Sequence, residues 1–322
     1  MVRASRSRHR LPAEALLAAV ITLLLVLAAA PCAVARSRWP VRVGHAPLML
    51  PCGSAGVTVP TDWYFPQRGH AATGLVWLQH GFFETKANMA GVAKAYAERA
   101  GAVVVVPTIT SNPFAAGGCW LNGARMWRAV AATLTNPAEL QASAEDAYGG
   151  AVWLPERFVL SGHSAGGNLA LAAAGDLAVG GDVAELRGVV LLDGVDFAGA
   201  MRTGLQRLTG PDDRPVWQVA SPPSSCNAGG SGTQAVLAAR PGRFVGVELL
   251  RGTHVDALGT DAGLFAELAC GFPRPENIRA ARLISCQWVF DALTGAQIGI
   301  LSGTPGQQIS VAGATAVVLP AG

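Results

Sequence analysis

Gly162-His163-Ser164-Ala165-Gly166-Gly167 is the most informative segment of this 322-residue chain. A strand-like run, residues 157–160, comes before it, and a helix-like run of small residues, 168–178, follows it. The segment fits G-x-S-x-G, in which a serine lies on a sharp turn between a strand and a helix. Glycines flank such a serine because the backbone packs too tightly there for Cβ atoms. The pattern predicts that Ser164 is a nucleophile whose hydroxyl lies above a sheet.

Strand-like and helix-like segments alternate along most of the remaining chain. Continuous apolar strands between helices are typical of a parallel sheet that is covered on both faces. We therefore predict an α/β fold with a mostly parallel central sheet and helices on both faces. No long polar linker divides residues 36–322, so we expect one domain, with an apolar tail over residues 297–322 that forms a hairpin around 302–306. The predicted strands are 57–64, 74–79, 102–106, 157–160, 188–192, 216–220 and 244–250, and the predicted helices are 87–99, 122–134, 140–151, 168–178, 265–269 and 278–293.

The first 35 residues have the order of a secretory signal peptide. Four arginines within residues 3–10 come before an apolar run over 15–30, and Ala33-Val34-Ala35 fits a small-residue cleavage site. We expect export by a Sec-type signal to the medium, the cell envelope or the periplasm. The alternative is an uncleaved N-terminal anchor, because the apolar run is only slightly shorter than a segment that spans a bilayer.

Removal of residues 1–35 changes the charge balance of the protein. The chain carries 24 basic and 21 acidic side chains, and cleavage would leave 20 of each. A basic surface for nucleic acid is therefore not expected. We also expect no stable membrane span after cleavage.

Export makes disulfide bonds plausible, and five cysteines follow residue 35. An odd number favours two bridges and one free thiol. Cys270 and Cys286 lie close in the sequence, so we expect them to pair, while the other bridge stays open. No C-x-x-C pair or His-rich tract occurs, which argues against structural zinc, and we expect no metal or organic cofactor.

A serine nucleophile needs a base that takes its proton. Of the six histidines, only His254 comes after the serine in the chain. It follows the predicted strand 244–250, at the carboxyl end where sheet proteins place their sites. We predict that His254 is the general base.

A carboxylate must hold the histidine ring in the correct tautomer. It usually follows the second strand after the nucleophile, here residues 216–220, but no acid lies between residues 214 and 246. The acid must then come one strand earlier, where Asp193 is the first polar residue after an apolar run. We predict Asp193, with Asp196 as the second candidate. Asp256 is only two residues from His254, which is an awkward spacing for orienting its ring.

Backbone N–H groups should stabilise the oxyanion that forms during attack by the serine. One donor is expected to be Ala165, directly after the nucleophile. The other is expected in Gln79-His80-Gly81-Phe82-Phe83, with the Phe82 N–H as donor. Phe82 and Phe83 could also form the wall of an apolar acyl or alkyl site, or could belong to the core.

The chain resembles the α/β-hydrolase superfamily from about residue 57 to residue 293. The segments His80-Gly81-Phe82, residues 162–167 and Leu192-Asp193-Gly194-Val195-Asp196 are similar to those of chlorophyllases and bacterial cutinases (polyesterases). Chlorophyllases carry the acid directly after the next strand, in an Asp-Pro-Val context, where this chain has Gly194 instead of Pro. Cutinases carry it one strand later, where residues 221–225 read Ser-Pro-Pro-Ser-Ser. The resemblance implies carboxylic ester hydrolysis without naming the ester.

Together these features predict a secreted serine esterase that works through an acyl-enzyme. Its catalytic triad would consist of Ser164, His254 and Asp193. Its substrate would be a small-molecule, lipid or polymer ester with an apolar part. Two alternatives stay open at this point: an acyltransferase of the same fold, and a non-catalytic exported binding protein.

Overall fold

Ten strands and eight α-helices make up the described part of the computed structural model, residues 39–67 and 71–320. The predicted signal peptide, residues 1–35, lies outside these residues. The strands are β1 (Val41–Leu50), β2 (Val57–Pro66), β3 (Leu75–Gln79), β4 (Val103–Pro107), β5 (Phe158–His163), β6 (Leu186–Leu192), β7 (Val216–Ala220), β8 (Gly246–Leu249), β9 (Gln308–Val311) and β10 (Ala314–Val318). The helices are α1 (Ala90–Ala95), α2 (Ala124–Thr135), α3 (Ala138–Tyr148), α4 (Ala165–Gly180), α5 (Ala200–Arg207), α6 (Ser231–Ala239), α7 (Leu264–Cys270) and α8 (Pro275–Thr294).

All ten strands belong to one sheet, in the order β1-β2-β4-β3-β5-β6-β7-β8-β10-β9. The six central strands, from β4 to β8, run parallel. The pairs β1–β2 and β2–β4 at one edge are antiparallel, as are β8–β10 and β10–β9 at the other. The predicted fold class, a mostly parallel sheet, is confirmed.

The central strands are buried on both faces, which explains why their sequences are apolar without alternation. Every residue of β3, β4 and β5 is buried. On one face, Trp77 and Leu160 belong to a core with α2, α3, α4 and α5. On the other, Val76 and Val104 belong to a core with α1 and α8. These two cores fix the carboxyl ends of the parallel strands, where the loops of the candidate site begin.

The structure differs from the predicted elements in several places, and helices α5 and α6 are among the elements that were not predicted. The predicted helix 87–99 is divided into a 3-10 turn, α1 and a π-helical turn (Tyr96–Ala100) that ends at Gly101, whose φ is 67°. Strand β1 was not predicted at all. The terminal hairpin exists, but it turns at Ala312 and Gly313 between β9 and β10 rather than around residues 302–306.

The predicted Cys270–Cys286 bridge is wrong. The structure contains Cys52–Cys119 and Cys226–Cys270, and Cys286 is free and buried. Cys286 lies on α8 inside the core and is 2% exposed, whereas Cys270 is half-buried at the margin of that core, at the end of α7, where it bonds Cys226 in the loop after β7. Nearness in sequence was misleading because α7 and α8 present their cysteines to different surroundings.

Replacing Cys52 and Cys119 together with alanine is expected to lower the free energy of unfolding by about 4 kcal/mol. The bridge spans 67 residues, and its loss frees a long loop in the unfolded chain. Urea unfolding followed by tryptophan fluorescence measures the change. A variant that unfolds at the same urea concentration as the unaltered protein would contradict this expectation.

Candidate active site

Ser164 occupies a strained turn between β5 and α4. Its φ and ψ are 52° and −121°, a region that residues other than glycine rarely adopt. A Cβ atom on Gly162 would lie 2.3 Å from the carbonyl carbon of Gly166, and one on Gly166 would lie 2.3 Å from the Gln79 carbonyl oxygen. Residues 162–167 are called the nucleophile turn below, after the role predicted for Ser164. Their glycines are required by packing, as the sequence indicated.

Asp193 and His254 meet at the same end of the sheet, after β6 and β8. His254 Nδ1 lies 2.7 Å from Asp193 Oδ2, and both side chains are 6% exposed. Ser164 is adjacent, because its N–H donates to the carbonyl of Leu192 at 3.2 Å and its carbonyl accepts the N–H of Val195 at 3.1 Å. Within the described residues, Ser164 Oγ makes no hydrogen bond to the His254 ring. The structure thus brings all three predicted residues to one site and forms the Asp193–His254 contact.

The Asp193 carboxylate accepts hydrogen bonds from the loop after β7 as well as from His254. Ser221 donates twice, from its N–H to Oδ1 at 3.1 Å and from its Oγ to Oδ2 at 2.5 Å. Asn227 Nδ2 donates to Oδ2 at 3.2 Å. The loop in which an acid is absent therefore supplies the donors that fix the orientation of Asp193.

The two alternative acids lie elsewhere. Asp196 is 3.4 Å from Arg202 Nη2. Asp256 accepts the backbone N–H groups of Thr253 at 2.8 Å and Arg274 at 3.0 Å. Asp256 therefore shapes the segment that carries His254 and joins it to the start of α8.

The two predicted oxyanion donors have no protein acceptor within the described residues. These are the N–H groups of Phe82, after β3, and of Ala165, at the first position of α4. The loop of residues 80–84, which we call the oxyanion loop, is anchored by His80: Ile109 N–H donates to its Nε2 at 3.0 Å, and its Nδ1 donates to the Gly81 carbonyl at 2.8 Å. Burial lowers the pKa of His80, which agrees with a neutral ring in this tautomer.

A buried ion pair includes His163, the residue directly before Ser164 in the chain. His163 Nδ1 is 2.9 Å from Glu84 Oε1, and its Nε2 is 2.8 Å from the backbone carbonyl of His254. Glu84 also accepts the Gly81 N–H at 2.6 Å. The pair therefore touches three segments of the site.

Aromatic side chains form a row beside the oxyanion loop. The ring of Phe82 is 4.4 Å from that of Phe83 and 6.4 Å from that of Trp120, and Trp120 is 5.9 Å from Phe197, all edge to face. Asn168 Oδ1 accepts the Phe197 N–H at 3.1 Å and fixes that end of the row. Phe83 is 84% exposed, so it belongs to the surface rather than to the core.

Glu84, Ser221 and Asn227 are site residues that the sequence interpretation did not include. A signal for Ser221 and Asn227 existed, because this polar loop has no acid at the place where the cutinases that the sequence resembles carry one. Glu84 had only its position three residues after Gly81 as a signal. Across residues 39–67 and 71–320, no group of three or more His, Cys, Asp or Glu side chains could hold a metal ion.

Comparison with solved structures finds several esterases among the similar chains. A doubly substituted variant of the esterase rPPE aligns over 86% of this chain and 88% of its own, with 14% identity and a TM-score of 0.50. A thermostable esterase from Pseudomonas putida aligns over the same shares with 14% identity and a TM-score of 0.49. A hyperthermophilic esterase from the archaeon Pyrobaculum calidifontis aligns over 71% of this chain and 78% of its own, with 17% identity and a TM-score of 0.45.

The sheet, the nucleophile turn and the first of these likenesses define the class: the chain has the α/β-hydrolase fold. No family model matches the sequence, and no curated protein matches it either. At 14% identity the likeness is one of fold, so the activity must be argued from the site itself.

Proposed function

We propose that this protein is a secreted serine hydrolase of carboxylic esters. The observation that carries the proposal is the hydrogen bond between His254 Nδ1 and Asp193 Oδ2, 2.7 Å long, beside the strained Ser164 turn. A histidine that donates from Nδ1 keeps Nε2 free to accept a proton. The serine–histidine bond is often long without substrate and shortens in the complex.

The reaction follows from these roles in two halves. Ser164 Oγ attacks the carbonyl carbon while its proton moves to His254 Nε2, and the carbonyl electron pair becomes an oxyanion held by the Phe82 and Ala165 N–H groups. The oxyanion collapses, the alkoxide leaves with the proton from His254, and an acyl-serine remains. In the second half, water attacks the acyl-serine while its proton moves to His254. Collapse of the second oxyanion returns this proton to Ser164 Oγ and releases the acid. Each oxyanion donor is worth about 3 kcal/mol in such sites.

The aromatic row supports an ester with an apolar part. Phe82 supplies an oxyanion donor from its backbone and an apolar ring from its side chain, so the carbonyl would lie beside Trp120 and Phe197. Aromatic rings contribute large apolar contact areas. The proposed substrate class is therefore an ester whose acyl or alkyl group is apolar, as a free molecule, a lipid or a polymer.

Two features support export. The described residues hold two disulfide bonds, which form and persist in oxidising compartments. The order of charge, apolar run and small residues over 1–35 is that of a signal peptide.

Among the described residues, no helix has the length and apolar character needed to cross a bilayer.

The test uses residues 36–322 produced in an oxidising compartment. We expect turnover of p-nitrophenyl esters between acetate and palmitate, and covalent labelling of Ser164 by a fluorophosphonate, read by peptide mass spectrometry. The acyl-chain length that gives the fastest turnover would indicate the size of the apolar site. Folded protein with neither turnover nor labelling would overturn the proposal in favour of a binding protein. Labelling with ester formation on added alcohols or sugars, but without hydrolysis, would assign an acyltransferase.

A further inference from the structure

The mechanism above gives no role to His163, although its ring is almost entirely buried. Its side chain is 1% exposed and that of Glu84 is 11% exposed. The His163 ring centroid lies 4.7 Å from that of His254. Burying two charged groups costs desolvation free energy, which their attraction and further hydrogen bonds must offset. The contacts that the pair makes with the site therefore need an explanation.

The contacts fix the protons of this pair. A carbonyl can only accept, so His163 Nε2 must carry a proton to bond the His254 carbonyl. Its Nδ1 then faces the Glu84 carboxylate. Burial acts to lower the pKa of His163, but the charge and hydrogen bond of Glu84 raise it overall. Burial acts to raise the pKa of Glu84, but the charge and hydrogen bond of His163, with the Gly81 N–H, lower it overall.

The titratable groups around His163 are few. His80 and Asp193 act on it or on Glu84 through space, and His254 stacks at an angle against its ring. Only Glu84 forms an ion pair with His163 among the described residues. The contacts are those of an imidazolium that donates from Nδ1 to the Glu84 carboxylate and from Nε2 to the His254 carbonyl, enclosed between the segments of the site.

We propose that the Glu84–His163 pair is a positioning device that aligns the oxyanion loop, the nucleophile turn and the His254 segment (residues 251–256) for ester hydrolysis. Glu84 holds the oxyanion loop through the Gly81 N–H, one residue before the Phe82 donor. His163 belongs to the nucleophile turn and holds the His254 segment through its backbone carbonyl. This inference rests on the proposed function, since its effect is on that reaction.

Alignment of these three segments matters most in the transition state. The oxyanion donors and His254 act on charge that develops only during attack, so a small displacement affects kcat more than KM. A misplacement of about 1 Å can cost on the order of 100-fold in rate. Glu84 and His163 are therefore positioning residues, which act through Phe82 and His254 rather than on the substrate.

Three variants separate alignment from charge. Glu84→Gln keeps the geometry, because its amide oxygen accepts the Gly81 N–H and its amide nitrogen donates to Nδ1 of a neutral His163. Glu84→Ala removes both contacts, and His163→Phe removes the bond to the His254 carbonyl. The matched control is Asp213→Ala, just before β7 at the opposite end of the sheet. It removes ion pairs with Arg240 at 3.1 Å and with Arg243 at 2.6 Å.

The measurement is kcat and KM on a p-nitrophenyl ester, with kcat expressed per site labelled by a fluorophosphonate so that unfolded protein is not counted. We expect Glu84→Ala and His163→Phe to lower kcat at least about 10-fold with KM within about twofold. Glu84→Gln should restore most of kcat. Asp213→Ala should lower the melting temperature and leave kcat per site unchanged.

The outcomes distinguish this inference from the proposed function. An unaltered kcat per site in Glu84→Ala, or a loss equal to that of Asp213→Ala, would overturn the positioning role while hydrolysis by the parent protein stands. A loss in Glu84→Gln as large as in Glu84→Ala would also overturn it, because charge rather than alignment would then be responsible. Absence of turnover and labelling in the parent protein would reject the proposed function itself.

Discussion

Replacing Ser164 with alanine is expected to lower kcat for ester hydrolysis by a factor on the order of 10⁶. Without Oγ no acyl-enzyme forms, so His254 and Asp193 have no proton transfer to assist. The oxyanion donors, which are backbone N–H groups, stay in place. They account for the hydrolysis rate that remains above that in water. The assay is single-substrate kinetics on the best p-nitrophenyl ester of the series.

The fold is expected to survive this substitution. Alanine and serine differ by one oxygen, and both carry the same Cβ atom at the strained φ of 52°. Ser161→Ala is the matched control, since Ser161 is also buried on β5 and donates to the Val190 carbonyl at 2.8 Å. That control should cost about 1 kcal/mol of stability and leave turnover within about threefold. Retained hydrolysis by a clean Ser164→Ala preparation would contradict the assignment of the nucleophile.

The strands that could be predicted are those whose burial leaves a simple pattern. Every residue of β3 and β4 is buried, so both are short apolar runs that end at polar residues or proline. Strand β1 could not be predicted in the same way, because it contains Gly44, His45 and Pro47 and exposes Val43 and Met49. An edge strand tolerates such residues because one side of its backbone is unpaired.

The site also contains residues that could be predicted from the sequence and contacts that could not. Chemistry limits which residue types can act as nucleophile, base and acid, so a local motif predicted Ser164 and elimination along the chain then predicted His254 and Asp193. Contacts such as Glu84 with His163, 79 residues apart in the chain, depend on how loops meet above the sheet. Sequence patterns describe local structure and give no register between distant loops. The wrong choice of disulfide partner for Cys270 has this same cause.

Replacing Asp193 with asparagine is expected to lower kcat by a factor on the order of 10⁴. Either orientation of the amide is unfavourable. With its oxygen toward His254, the amide lacks the negative charge that stabilises the imidazolium, and its nitrogen faces the Ser221 N–H. With its nitrogen toward His254, it donates to Nδ1 and leaves the proton on Nε2, where the ring cannot accept one from serine. The bonds from Ser221 and Asn227 should keep the loop folded, so the loss is expected in kcat with little change in melting temperature.

The matched control for this prediction is Asp196→Asn. Asp196 lies three residues further along the same loop, and its carboxylate pairs with Arg202 rather than with a histidine. Its Oδ1 accepts the N–H of Met201 at 2.9 Å at the start of α5, a bond that the amide oxygen of asparagine can replace. We therefore expect Asp196→Asn to keep kcat within about threefold. If this variant lost activity while Asp193→Asn kept it, the acid of the site would be Asp196, and the 2.7 Å bond from His254 to Asp193 would have a structural role alone.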